Sequence, residues 1–416
     1  MVLLLPVYIG HLMWRGLKTP AYWQRWAERF GNYPEFKPAE KTHNSIWIHA
    51  VSVGEVQASL PVIRKLKEDY PDYQMLVTTT TPTGSRRVRE ILDQDVQHVY
   101  VPYDLGFIVN RFLEHFKPKL AMIMETEIWP NIFHACQQRS IPLILANARM
   151  SEGSAKGYRR FPRFIHQVLS WCSKIAVQSR QDMDRLIAIG ADENKLIITG
   201  SVKIDVKVPA SLIEQGEALR REWGSERTIW LAASTHEGEE SVILDVFDTI
   251  HQLDPHLLLV LVPRHPERFA KVAAYCKKRG KQVVMRSEHI PCDASTDVYI
   301  GDSMGELQLF YAASDIAFVG GSLIPHGGQN MLEPAALGKP IVFGPSTFNF
   351  SEISRQLLDG GAAMQVRDAG ELASVMEQLL RDANLRTSIG DNGLKMVEKN
   401  RGATGRLMDI VHGLME

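Results

Sequence analysis

Charged side chains in this sequence fall repeatedly where apolar runs end. The run Ile48-His49-Ala50-Val51-Ser52-Val53-Gly54-Glu55 closes on a carboxylate at the point where a helix should begin. Gly54 lets backbone approach a ligand closely. The helix dipole there favours ionised Glu55 and keeps it a competent proton acceptor. The plainer alternative is a first-turn glutamate that only suits the dipole. The run "LAMIMETEIWP" delivers Glu125 and Glu127 beside Trp129 and Pro130. Two carboxylates at the end of a buried run are costly unless paired or functional. Strand alternation puts both on one face if the strand continues. They could steady a positive charge, orient a base or form a structural ion pair.

A second set of residues suits an anion. "AASTHEGEE" places Ser234, Thr235 and His236 between a strand and a helix, where hydroxyls and free amides suit phosphate. "VPRHPERF" puts Arg264 and His265 at the next strand end, and a guanidinium can grip phosphate with two hydrogen bonds. "GDSMGE" and "VGGSLIPHGGQNMLEPAALGKP" add glycine-rich turns, followed by Asn330 and Glu333. Such turns cradle phosphates, and a following acid can accept ribose hydroxyls. None is a Walker motif or a clean Gly-x-Gly-x-x-Gly, so the signal lies in their clustering in one half of the chain. No Asp-x-Asp pair and no His/Asp cluster at ligand spacing occurs, so no metal is expected.

The elements that must position these groups follow an α/β rhythm. Strands are expected at 45–51, 73–80, 98–104, 120–126, 142–148 and 174–179, with a helix over 55–70 and further helices between. After a pause near Thr199-Gly200-Ser201, strands recur at 228–235, 257–264, 282–287, 297–302, 316–322 and 340–345, and helical sequence closes the chain after Asp368. Short apolar runs alternating with helices indicate parallel sheets covered on both faces. The expected architecture is two tandem Rossmann-like domains facing across a cleft, with ligands at the carboxyl ends of the strands. Residues 1–40 read as a membrane-associating segment and 41–200 as an acceptor domain. Residues 201–225 read as a linker, and 226–416 as a nucleotide-sugar domain whose final helices can pack back on the first.

Composition sets the broad class. The 416 residues are 45% hydrophobic and 23% charged, ordinary for a globular protein. With 47 basic and 48 acidic residues the chain has no nucleic-acid signature. Cys136, Cys172, Cys276 and Cys292 are widely spaced, which argues against a zinc site or a disulfide framework. The opening "MVLLLPVYIGHLMW" is apolar but shorter than the about 20 residues that span a bilayer. Arg15, Lys18, Arg25 and Arg29 follow, interleaved with Tyr22, Trp23, Trp26 and Phe30. That pattern suits an interfacial anchor with its cations on anionic head groups; the plainer alternative is a helix packed on the protein's own core. Lys156, Arg159, Arg160 and Arg163, among Tyr158, Phe161, Phe164 and Trp171, suit the same kind of surface, the alternative being a core helix edge. Arg86, Arg87 and Arg89 are offered to that surface too, or read as a solvated charged face.

Together these features describe a two-domain nucleotide-sugar glycosyltransferase. The motifs "TTTTPTGSRRV", "METEIWPN", "GSVKID", "STHEGEE", "LVPRHPERF", "GDSMGEL" and "FVGGSLIPHGGQNMLEPAALGKPIVFGP" resemble, in order, those of bacterial 3-deoxy-D-manno-octulosonic acid (Kdo) transferases. The resemblance implies a GT-B type fold and inverting, metal-independent transfer of Kdo from CMP-Kdo to the lipid A precursor, lipid IVA. It implies lipopolysaccharide core biosynthesis at the cytoplasmic face of the cell inner membrane, with membrane lipids as partners. It implies Glu55 as general base, with Glu125 and Lys203 stabilising the transition state. CMP contacts are implied at Pro263 and Arg264, at Met304, Gly305 and Glu306, and at Asn330, Met331, Leu332 and Glu333. Two other readings compete: a UDP-sugar 2-epimerase on a similar fold, and a non-catalytic nucleotide-binding membrane scaffold.

Overall fold

The structure is a computed structural model that describes residues 24–34, 44–92, 95–206 and 208–416. The chain divides into two compact units. One runs to Asp205 and takes in Gly402–Glu416; the other is Val206–Arg401.

The first unit is built on β1 (Ser45–His49), β2 (Gln74–Thr79), β3 (Gln97–Tyr100), β4 (Pro118–Met124), β5 (Leu143–Ala148), β6 (Lys174–Val177) and β7 (Leu196–Ile198). They form one parallel sheet in the order β3-β2-β1-β4-β5-β6-β7. Every residue of β1 is buried, as a sheet covered by helices on both faces requires. Trp47, Phe112, Phe133 and Val168 fill one face, and Ile48, Val62, Met122 and Leu407 the other. Leu407 belongs to the last helix, Ala403–Met415. Asp205 fixes its start by accepting the N–H groups of Gly402 and Thr404, both at 2.8 Å.

The second unit repeats the plan with β8 (Ile229–Thr235), β9 (Leu258–Pro263), β10 (Val283–Met285), β11 (Val298–Ile300), β12 (Ile316–Val319), β13 (Ile341–Phe343) and β14 (Ala363–Gln365). Their order is β10-β11-β9-β8-β12-β13-β14, again parallel. Sequence reasoning placed twelve of these fourteen strands and missed β7 and β14. Both are three-residue edge strands with partly exposed faces, so neither carries a long apolar run. The expected linker contains a helix, Ala210–Trp223, whose Leu219 and Trp223 enter the core of the second unit.

The segment before β1 corrects one expectation. Arg25 and Arg29 do not face lipid head groups. Arg29 is 2% exposed, donates to the Thr80 carbonyl at 2.9 Å and lies 4.1 Å over the Tyr100 ring. Arg25 pairs with buried Glu28 and donates to the His98 carbonyl. Glu28 in turn accepts the Tyr100 N–H at 2.8 Å. Buried charges persist when they are paired and hydrogen-bonded, and the edge of the first sheet offers these partners. Arg15, Lys18, Tyr22 and Trp23 lie outside the described residues.

Close approach of strands explains one glycine. A Cβ on Gly320, just after β12, would stand 2.7 Å from the Ser234 carbonyl oxygen and 2.8 Å from Thr235 Cα. Gly320→Ala should therefore cost about 1–3 kcal/mol through overpacking. Thermal unfolding checks this, and an unchanged midpoint would contradict it.

Candidate active site

In open parallel sheets a crevice forms where the chain reverses its direction of strand addition. In the first sheet that point lies between β1 and β4. Ser52, extended at φ −121°, caps the helix Val53–Asp69 that follows β1. The Glu55 carboxyl turns back on this cap. It accepts the Val51 N–H at 2.7 Å and the Ser52 hydroxyl at 3.0 Å. The helix dipole was expected to keep Glu55 ionised, yet burial outweighs it. With the side chain 8% exposed, burial pushes the carboxyl from the usual 4.5 to about 7. The charges of Glu125 and Glu127 push the same way, against the two hydrogen bonds. A carboxyl balanced near neutrality is matched to taking and returning a proton.

The second strand of the crevice departs from the sequence expectation. β4 ends at Met124 and Glu125 turns into the left-handed region at φ 59°, so strand alternation does not carry on to Glu127. The Glu125 N–H still reaches the Ala146 carbonyl at 2.8 Å. Its carboxylate meets the Lys203 ammonium at 2.5 Å. Lys203 arrives from the turn after β7, where Asn147 Oδ1 accepts the Val202 N–H at 3.1 Å. Burial, then the charge of Glu125, raises the Glu127 carboxyl. The fold thus gathers Glu55, Glu125, Glu127 and Lys203, three carboxyl groups against one ammonium. Such a site suits positive charge developing on a substrate.

In the second sheet the reversal lies between β8 and β12. Here the phosphate expectation needs adjustment. The Thr235 hydroxyl donates to Glu240 at 2.9 Å, and Arg268 holds that carboxylate through two N–H donors at 2.7 and 3.0 Å. The His236 ring stacks on His326 at 4.4 Å and 13°, with His265 at 5.4 Å. Burial, followed by the charges of His326, His265, Arg264 and Arg268, lowers its pKa to about 4 and keeps it neutral. Arg264 itself is solvent-exposed, with its main-chain N–H on the Thr235 carbonyl at 2.9 Å. Pro263 closes β9.

The remaining implied contacts divide by chemistry. Met304 is 64% exposed and Gly305 adopts φ 85°. Glu306 is held by Arg286 at 3.1 and 2.8 Å and by the Ser303 hydroxyl, which keep its carboxyl below its usual range. Asn330 donates to Glu333 at 3.1 Å and accepts the Leu332 N–H at 3.1 Å. Burial raises the Glu333 carboxyl. The Met331 and Leu332 side chains are buried, which leaves only their main chain to offer a ligand.

Sequence reasoning missed Glu239. Fully buried, it accepts the N–H groups of His236, Gly321, Ser322 and Leu323 at 2.7–3.0 Å, and so fixes the glycine-rich turn after β12. The available signal was a glutamate in a first helical turn, facing a glycine pair far along the chain. Among the described residues no group of three His, Cys, Asp or Glu is placed to hold a metal ion, and no helix is long and apolar enough to cross a membrane.

Comparison with known proteins gives concordant results. The family profile described as 3-deoxy-D-manno-octulosonic-acid transferase (Kdo transferase) matches residues 24–206. The 3-deoxy-D-manno-octulosonic acid transferase of Haemophilus influenzae is 42% identical over 410 residues, covering 98% of this chain and 95% of that protein. The C-terminal CMP-Kdo binding domain of WaaA from Acinetobacter baumannii is 37% identical, covering 45% of this chain and 99% of that domain, with a TM-score of 0.44. MurG from the same species matches 89% of this chain and 99% of its own, at 13% identity and a TM-score of 0.53. That last likeness is one of fold: the chain has the two-domain GT-B architecture.

The raised Glu55 carboxyl has a measurable consequence. Its protonated form is the one the folded state favours, so its stability contribution is complete below pH 4.5 and is lost as pH rises to about 7. Over that window the native protein should lose roughly 3 kcal/mol relative to Glu55→Gln, which cannot ionise. Unfolding midpoints of the two proteins across pH 4–8 test this; a constant difference between them would refute it.

Proposed function

The chain belongs to the Kdo transferase family and is a glycosyltransferase, and on that premise we propose its donor, acceptor and chemistry. The donor is CMP-Kdo and the acceptor the lipid A precursor, lipid IVA, in lipopolysaccharide core biosynthesis. The observation that carries the mechanism is the buried Glu55 carboxyl, balanced near neutrality beside Glu125 and Lys203. Membership of this family displaces the epimerase and scaffold readings.

Glu55 takes the proton of an acceptor hydroxyl as its oxygen bonds to the anomeric carbon of Kdo. The bond from that carbon to the CMP phosphate breaks, and CMP leaves with the electron pair. Attack opposite the leaving group inverts the anomeric centre. The sugar passes through an oxocarbenium-like state, and the Glu125 carboxylate stabilises its positive charge. Lys203 stabilises the transition state beside Glu125, and Arg264 neutralises the departing phosphate, so the reaction runs without a metal. Pro263, Met304, Gly305, Glu306 and the stretch Asn330–Glu333 hold the CMP.

The acceptor is a lipid, and the place of transfer that we propose is the cytoplasmic face of the inner membrane. Support for that location comes from Phe161 and Phe164, 64% and 51% exposed, with exposed Arg159, Arg160 and Arg163 around them. Aromatic side chains beside cations suit an anionic lipid interface.

Three outcomes are expected. Glu55→Gln should lower transfer from CMP-Kdo to lipid IVA by about 10²–10⁴ while CMP binding persists, and chelator should leave the wild-type rate unchanged. A mutant near wild-type rate removes Glu55 as base; a chelator-sensitive rate removes the metal-free step. Phe161→Asp with Phe164→Asp should weaken binding to anionic vesicles several-fold at constant thermal stability. Unchanged vesicle binding would exclude this face.

A further inference from the structure

The buried cation Arg29 is connected to Glu55 through main chain. We propose that Arg29 is a positioning residue for the base, acting through Thr80 and Val51; the inference rests on the reading of Glu55 as base. The guanidinium donates to the Thr80 carbonyl at 2.9 Å, in the loop that leaves β2. The Thr80 N–H and the Thr81 hydroxyl converge on the Val51 carbonyl at 3.3 and 3.2 Å. The Val51 N–H then reaches the Glu55 carboxyl at 2.7 Å. Two loops at neighbouring strand ends are thereby braced against one buried cation.

Arg29 is itself held firmly. Its guanidinium lies over the Tyr100 ring, and its carbonyl accepts the Tyr103 N–H at 2.9 Å. Its neighbour Glu28 accepts the Tyr100 N–H, while Arg25 grips the His98 carbonyl. The helix Trp26–Arg29 is thus fastened to the end of β3, one strand beyond β2. A charge-assisted hydrogen bond is stronger than a neutral one, so the Thr80 loop follows Arg29 more than its own weak contacts.

Loss of this brace releases the Val51 amide from Glu55. That amide favours the ionised carboxylate, so without it the base holds its proton to higher pH. The other groups facing Glu55 are the Ser52 hydroxyl and the charges of Glu125 and Glu127, with Lys203 on Glu125. These remain in place when Arg29 is changed. Misplacement of a base by about 1 Å can cost up to 10²-fold in rate.

The test uses the full chain with Arg29→Lys, Thr81→Val and Thr81→Ser. Arg29→Lys and Thr81→Val should each lower kcat about tenfold or more and leave KM for CMP-Kdo unchanged. Both should move the acidic limb of the kcat profile to higher pH, and Thr81→Ser should restore it. Glu55 titration is read separately, from unfolding midpoints across pH with and without Glu55→Gln in each background. If that titration is unshifted in both Arg29→Lys and Thr81→Val, the proposal is wrong. A fall in kcat with an unmoved pH profile also overturns it, since Arg29 would then only support the fold. If Glu55→Gln retains full transfer, the base assignment fails on its own, while the titration still reports whether Arg29 positions Glu55.

Discussion

Buried Glu55 shares a crevice with two half-buried carboxyl groups, and much of the first unit is arranged around the cost of placing them there. Burial resists the charged form, and Glu125 and Glu127 resist it further. The Val51 amide and the Ser52 hydroxyl oppose that pressure, while the Lys203 ammonium pairs with Glu125. The balance falls near neutrality, where a carboxyl can both accept and release a proton. A fully exposed glutamate would be ionised and a poor match; a buried glutamate without those partners would keep its proton.

Three distant parts of the chain support this balance. The loop after β1 supplies the amide and the hydroxyl. The left-handed turn at Glu125 aims a carboxylate that ordinary strand geometry would not deliver. The turn after β7 supplies Lys203, fixed from below by Asn147 on β5. The short helix Trp26–Arg29 stands behind the β1 and β2 loops. A non-glycine residue in the left-handed region is sterically costly, and Glu125 adopts it where its carboxylate meets Lys203.

The second unit meets a different constraint. A nucleotide phosphate needs main-chain N–H groups and cations, and glycine-rich turns supply the first only if they hold one shape. Glu239 provides that shape by accepting four main-chain N–H groups. The cations Arg264 and Arg268 and the rings of His265 and His326 gather near neutral His236. Arg268 is committed to Glu240, which leaves exposed Arg264 as the cation this unit offers the departing phosphate in the proposed mechanism.

The sequence alone determined the α/β class, twelve strands, the family resemblance and the clustering of polar residues at strand ends. These are local or ordered properties: apolar periodicity, turn residues and motif order survive in one dimension. It also singled out Glu55 and Glu125 by position and Lys203 through resemblance. Tertiary structure decided what those groups are. Glu55 reads as an ionised cap when only its helix is considered, and becomes a near-neutral carboxyl once burial by other elements is included. Glu125 and Lys203 stand far apart in sequence and meet only because β4 and the turn after β7 end on the same side of one sheet. Arg29 reads as a lipid-facing cation beside aromatics, yet it is buried because β2 and β3 present a carbonyl and a ring to it. Burial, long-range pairing and electrostatic balance are sums over neighbours, and a chain acquires its neighbours only by folding.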